Sequence, residues 1–430
     1  MKIASYEIGI VRIPLRTPFK TALRTVDSVE DVIVRLAAPD GTIGLGEAPP
    51  TKAITGETLE SIQETICGRI IPVLRALPED ADVLPRLIAI QESCAGNTSA
   101  KAAVDLAVHD LAARKACLPL HQYLGLLYGR GKGPAPIQNF RNQERYCKAE
   151  SGLREPPKDP HPILRDSPGE ESTSDAPSLP FKERDISGSP VLFTDLTISV
   201  NPIPQMQEDA RIALRRGFRA VKIKVGKEGE RDLQRIRAIR DVVGDETAIL
   251  VDANQGWTAQ EALSILRKAE EMGLNLSLIE QPVKADDLAG MSAVTAGTRY
   301  PVAADESCFH PEDAQRIFGQ RAADLVNIKL MKCGGLMEAQ KIADIALANG
   351  KHCMMGCMLE SAVSVSAAAH FAAAQGELVT VTDLDGPMLC AENPYVGGPD
   401  YNGPAITLNQ TPGIGITEIR KPYLKEWIRL

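Results

Sequence analysis

The chain has no run of about 18 apolar residues, so no membrane-crossing helix is expected. It also has no CxxC pair, no HxxxH or HxH pair and no basic block. The missing histidine pairs argue against a zinc site. With a net charge of −8 over 430 residues, the missing basic block argues against nucleic acid or an anionic membrane as the main partner. The opening MKIASYEIGIVRIPL alternates apolar and polar residues like a strand and lacks the apolar stretch of a signal peptide. Nine cysteines, an odd number scattered from Cys67 to Cys390, fit a reduced, cytoplasmic chain. At 44% hydrophobic, the composition supports a sizeable core, and the length suits two domains or a barrel with an appended domain.

Four stretches divide the chain. In residues 1–128, strand patterns at 3–13, 31–37 and 43–48 precede helical periodicity at 57–74, 81–93 and 98–116, which predicts an α+β domain. Residues 129–190 hold 10 of the 30 prolines and few large apolar residues. They read as a disordered insert, because little apolar surface is there to offset ordering entropy. Residues 191–390 carry eight short apolar runs, and 391–430 form a Gly/Pro-rich tail with one strand near 414–419, long enough to return to the first domain.

The eight runs end at Thr197, Lys222/Lys224, Asp252, Glu280, Asp305, Lys329, Cys357/Met358 and Asp383/Asp385. From Lys224 onward they are 28, 28, 25, 24, 28 and 26 residues apart, about one strand and one helix each time. Parallel strands need such crossovers, and eight units read as a (β/α) barrel with its active site at the strand C-termini.

Asp252, Glu280 and Asp305 end consecutive strands. Three converging carboxylates repel unless a cation lies among them, and an all-oxygen set suits Mg²⁺ or Mn²⁺. Lys222 and Lys224, at i and i+2, share one strand face, with Val221, Ile223 and Val225 on the other. Lys329 ends the sixth strand, opposite the second. Lys332, beyond that strand, reads as snorkelling to the rim. A cation-held carboxylate with a lysine on each face, the base lowered in pKa by the cation and a neighbouring lysine, suits removal and return of an α-proton, which is epimerisation. Asp383 and Asp385 repeat the i, i+2 spacing and suit a substrate ammonium, with a structural salt bridge as the plainer alternative.

The motifs AVKIKVG, VDANQGW, LIEQPV, AADES and VNIKLMKCGG resemble the muconate-lactonising subgroup of the enolase superfamily. TPFKTALRT, GEAPPTKAITGET, GNTSAKAAVDLA and TDLDGP are similar to its dipeptide epimerases, most of all those acting on L-Ala-D/L-Glu. The resemblance implies an α/β fold: a (β/α)7β modified TIM barrel with an N-terminal α+β capping domain. It implies one Mg²⁺ per subunit on Asp252, Glu280 and Asp305, with Mn²⁺ as a substitute. It implies Lys224 and Lys329 as acid/base pair and Lys222 on the substrate carboxylate. Asp383 and Asp385 would hold the dipeptide ammonium and Arg24 the glutamate side chain. Ile54, Thr197, Cys357 and Met358 would line the pocket, with Glu306, Asn254 and Asn327 behind. The implied reaction is 1,1-proton transfer at the α-carbon of the C-terminal residue of a small dipeptide. The alternative is a muconate cycloisomerase or o-succinylbenzoate synthase-like enzyme. The 129–190 stretch departs from the family, which has a short link there. A homo-oligomer is compatible with the sequence, which does not fix oligomeric state.

Overall fold

The computed structural model describes residues 1–20, 25–129, 182–184, 188–226, 228–424 and 426–430, with the backbone alone at 20, 25 and 182–184. Strands β1 (Ser5–Lys20), β2 (Thr25–Ala37) and β3 (Ile43–Ala48) form an antiparallel sheet. The first two run well beyond the expected 3–13 and 31–37. Pro14 and Pro18 hide the strand in the sequence, and a register shift between Pro14 and Phe19 accommodates them. The helix Thr98–Lys115 lies against this sheet so closely that a Cβ on Gly46 would run into the Ala103 carbonyl. Glycine is needed there for the approach.

Continuing in chain order, β4 (Lys182–Arg184) pairs with β5 (Pro190–Phe193), which pairs with Ala405–Thr407. A strand therefore lies within the stretch expected to be an unstructured insert; the expectation for 130–181 and 185–187 falls outside the described residues. Strands β6 (Leu196–Ile198), β7 (Ala220–Lys224), β8 (Ala248–Asp252), β9 (Leu278–Glu280), β10 (Val302–Ala304), β11 (Leu325–Ile328), β12 (His352–Gly356) and β13 (Val379–Asp383) form one sheet in sequential order. Every neighbouring pair in it is parallel. A helix of nine or more residues follows each of the first seven, from Ile203–Arg215 to Ala362–Ala374. This is a (β/α)7β barrel. Between β13 and β6 the seam is held by irregular bonds: Thr382 Oγ1 to Phe193 O (2.7 Å), Leu384 N to Thr194 Oγ1 (2.8 Å) and Thr197 N to Asp385 Oδ2 (2.8 Å).

The strands divide their side chains as period two requires. Val221, Ile223 and Val251 pack outward against the helices in the main core. Ala220, Leu250, Leu278, Ala303 and Met354 fill the interior near the strand N-termini. The C-terminal strand Ile428–Arg429 pairs with β1, returning the chain to the first sheet. Buried carboxylates join cap and barrel. Glu47 accepts from Ser364 N (2.7 Å), Ser364 Oγ (2.8 Å) and Ser361 N (3.2 Å) at the start of the helix Ala362–Ala374. Asp110 Oδ1 accepts from Ile414 N (2.8 Å) and Oδ2 from Leu45 N (2.9 Å). Among the described residues, seven cysteines form no disulfide: Cys67, Cys94, Cys308, Cys333, Cys353, Cys357 and Cys390. Among the described residues, no helix is long and apolar enough to cross a membrane.

Candidate active site

The strand C-termini bring the acidic and basic run ends into one ring. In register, Lys224 sits beside Asp252, and Asp252 beside Glu280. Asp305 and Lys329 each follow the last residue of their strands, β10 and β11. Lys224 and Lys329 stand four strands apart in an eight-strand ring, on opposite walls.

These charges are buried and pair directly. Lys222 Nζ lies 2.7 Å from Asp383, 2.7 Å from Glu280 and 3.1 Å from Asp252. Lys224 Nζ donates to Asp252 Oδ2 (2.5 Å), and Lys329 Nζ to Asp305 Oδ2 (2.8 Å). Lys332 is 1% exposed and donates to the Asp305 carboxylate and to Asn327 O, so it anchors Asp305 and does not snorkel as the sequence suggested. Asn254 N donates to Asp252 Oδ1 (2.9 Å) and Asn327 Nδ2 to Glu280 Oε1 (3.0 Å). Gln281 Oε1 accepts from the backbone of Asp305 (2.8 Å) and Ser307 (3.2 Å), fixing the turn that presents Asp305.

Among the described residues, no three His, Cys, Asp or Glu side chains stand around one point as they would to hold a metal ion. Opposite buried charges at these distances attract strongly, and each carboxylate has turned toward an ammonium. The donor set nevertheless fits a hard cation. It is all oxygen, it is buried, and Glu280 Oε2 has no aligned hydrogen-bond donor despite the nearby Lys222. Burial, with Asp252 and Asp305 adding to it, pushes Glu280 up to about 7 against the pull of Lys222 and Lys329. Asp252 is held down at about 2: burial opposes this, but Lys224 and Lys222 outweigh it. Lys222 and Lys329 are both raised. Burial would lower Lys329 and Lys222, but Asp305 outweighs it for the first and Asp383, Glu280 and Asp252 for the second.

A cavity of about 740 Å³, counted to its open mouth, lies over this ring. Its lining includes Ile54, Thr197, Lys224, Asp305, Lys329, Cys357, Met358, Asp383 and Asp385, together with Asn254 and Glu306. Lys222, Asp252 and Glu280 lie beneath it, each 1% exposed or less. Arg24 falls outside the described residues. Phe19, Thr51, Ala53, Leu359 and Leu389 also line the cavity, and sequence reasoning had not singled them out. Phe19 and Thr51 come from the cap, at turn and strand-end positions that carry no chemical signal of their own.

Residues 5–125 match the mandelate racemase/muconate lactonizing enzyme N-terminal domain, and residues 205–420 match the enolase C-terminal domain-like family. The chain belongs to the enolase superfamily, in its mandelate racemase/muconate-lactonizing family. It is 39% identical to the L-Ala-D/L-Glu epimerase of Clostridium acetobutylicum, over 97% of this chain and 99% of that one. It is 39% identical to the enzyme of that name from Bacillus subtilis, over 97% of each. Among solved structures, a substrate-liganded complex of the L-Ala-D/L-Glu epimerase from Bacillus subtilis matches with a TM-score of 0.80 at 38% identity, covering 97% of this chain and 99% of that one. A dipeptide epimerase from Enterococcus faecalis, complexed with Mg and L-Leu-L-Tyr, matches with a TM-score of 0.78 at 31% identity, covering 97% and 100%. These family relatives are epimerases, that is, isomerases acting on amino acid derivatives.

Proposed function

We propose that this chain is an Mg²⁺-dependent dipeptide epimerase that inverts the α-carbon of the C-terminal residue, with L-Ala-L-Glu and L-Ala-D-Glu as the substrate pair. The observation that carries the reading is the placement of Lys224 and Lys329. Both line one cavity from opposite walls, with the three acidic strand ends between them. Asp252, Glu280 and Asp305 would hold the cation, one per subunit; Mn²⁺ has the same ligand preference. Bound there, a divalent cation would supply the positive charge now drawn from the ammonium groups and offset the charge that builds on a substrate carboxylate as its α-proton leaves.

The chain's own residues do the rest. A dipeptide lying between the walls presents its α-carbon to one lysine on each face. One lysine takes the proton and the other returns a proton from the opposite side, which inverts the centre. Asp383 and Asp385 line the same cavity and offer negative charge to the peptide ammonium. Arg24 meets the glutamate carboxylate in this reading. Lys222 is nearly closed off from the cavity, and its part is to bind Asp383, Glu280 and Asp252 together. Thr197, Ile54, Cys357 and Met358 shape the walls.

Incubation with L-Ala-L-Glu and Mg²⁺ in D₂O, followed by NMR, tests the proposal. Deuterium should enter the glutamate α-position as the L,D epimer accumulates. No exchange with any dipeptide in metal-loaded, folded protein would overturn it.

A further inference from the structure

The seam between the first and last barrel strands holds a third carboxylate that none of the chemistry above uses. Asp195 directly precedes β6 and is 1% exposed. Its backbone N–H donates to Thr382 O (3.4 Å), and the flanking bonds from Thr382 Oγ1 to Phe193 O and from Leu384 N to Thr194 Oγ1 fix its position. Neither of its carboxylate oxygens, both buried, has a hydrogen-bond partner. The charges facing it are Asp383, Asp385 and Lys222.

The charge count makes the arrangement informative. Three carboxylates share the seam; Lys222 faces all three but is also bound by Asp252 and Glu280, and Lys224 and Lys329 face Asp383 from the cavity side. A third full negative charge there would be buried with neither oxygen hydrogen-bonded, which is strongly unfavourable. Burial first, then Asp383 and Asp385, hold Asp195 well above the usual carboxylate range. Of the three, it is the one outside the cavity lining, so no ligand reaches it to offset a charge. Two carboxylates side by side relieve their repulsion by sharing a proton.

Building on the epimerase reading, we infer that Asp195, as a neutral acid, is a positioning residue that donates its one O–H to the Asp383 side of the pair and fixes Asp383 and Asp385 on the substrate ammonium. The subsite then presents two negative charges to a single ammonium, not three. The residue acts through hydrogen bonding, so an amide at this position should replace it.

The test is steady-state kinetics on L-Ala-L-Glu with Asp195→Asn and Asp195→Ala. Asp195→Ala should raise KM more than about tenfold, the loss of one charge-assisted hydrogen bond, with a much smaller change in kcat. Asp195→Asn, which keeps a neutral N–H donor, should recover most of that loss. An Asn variant as impaired in KM as the Ala variant would show that the ionised charge is needed and would overturn the inference. So would an Ala variant with lowered thermal stability but an unchanged KM. Should the Ala variant fail to fold, isotope-edited infrared difference spectra of wild type against Asp195→Asn decide the matter. At pH 7 they should show one protonated aspartate carboxyl that vanishes in the variant, and its absence from wild type would sink the inference. Wild type inactive on every dipeptide would remove the epimerase reading and this inference together. An active wild type with either overturning result removes this inference alone.

Discussion

The molecule buries two sets of carboxylates and treats them in opposite ways. At the cap–barrel interface, Glu47 is fully buried and accepts from the backbone and hydroxyl groups of Ser361 and Ser364. Glu57 likewise accepts from Ser99 N (2.9 Å) and Ala100 N (3.1 Å) at the start of the helix Thr98–Lys115. Helix N-termini have free N–H groups and positive partial charge, so these carboxylates are satisfied in place. At the barrel mouth, Glu280 Oε2 meets the Lys222 ammonium at 2.7 Å, and Glu306 Oε2 is buried without a hydrogen-bond donor. Two buried acids with the same ionisable group therefore teach different things. One set is held by the N–H groups of helix N-termini, and the other is held by buried ammonium groups.

The largest effect that separates the two sets should come from the lysines at the mouth. Lys224→Ala or Lys329→Ala should lower the rate of inversion by about 10³-fold, within the range of a lost general acid or base, measured by polarimetry on L-Ala-L-Glu. No interface carboxylate should approach that loss. Next is Glu280→Gln, which should weaken Mg²⁺ by at least about 100-fold in calorimetric titration, since even outer partners of a metal ligand carry about 10–100-fold. Glu47→Gln should leave Mg²⁺ affinity unchanged but lower unfolding free energy by about 1–3 kcal/mol in guanidinium titrations, because serine donors lose their acceptor. Equal effects of both substitutions on metal affinity would dissolve the distinction.

Glu360 tests the border between the sets. It accepts from Met358 N (2.6 Å) beside the cavity, and burial raises it to about 7, with Glu47 adding to that. A carboxyl raised in the folded state binds its proton more tightly there than in the unfolded chain. It therefore stabilises the fold fully below the ordinary glutamate range, and that contribution is lost as pH rises through about 7. Glu360→Gln should flatten the fall in melting temperature between those limits, a smaller effect than the others. An unchanged slope would show that Glu360 is ionised throughout.

Much of the barrel could be read from one strand's worth of alternation repeated at helix-sized intervals. Val221, Lys222, Ile223 and Lys224 alternate between helix layer and interior because the strand period is two. That regularity placed Asp252, Glu280, Asp305 and Lys329 on the same rim. Contacts made by distant segments were not legible. Lys332 looked free to reach water because its partners, Asp305 and the Asn327 carbonyl, meet it only once the strands close. Asp195 was not singled out in the sequence, and only the seam with β13 makes it a buried neighbour of Asp383. The direct pairing of Lys222 with Asp383 was hidden for a related reason: sequence shows which charges are near, but not which pairs form. The proline-interrupted ends of β1 and β2 were missed because a register shift, rather than clean alternation, carries the strand past Pro14.

The central claim is that two lysines remove and return the proton of one α-carbon from opposite faces. Proton NMR of L-Ala-L-Glu and L-Ala-D-Glu in D₂O, with Lys224→Ala and Lys329→Ala, tests this most directly. Each variant should exchange the α-proton of one epimer only, the two variants should choose opposite epimers, and neither should interconvert them. Exchange of the same epimer by both variants, or inversion at the wild-type rate by either, would contradict the account.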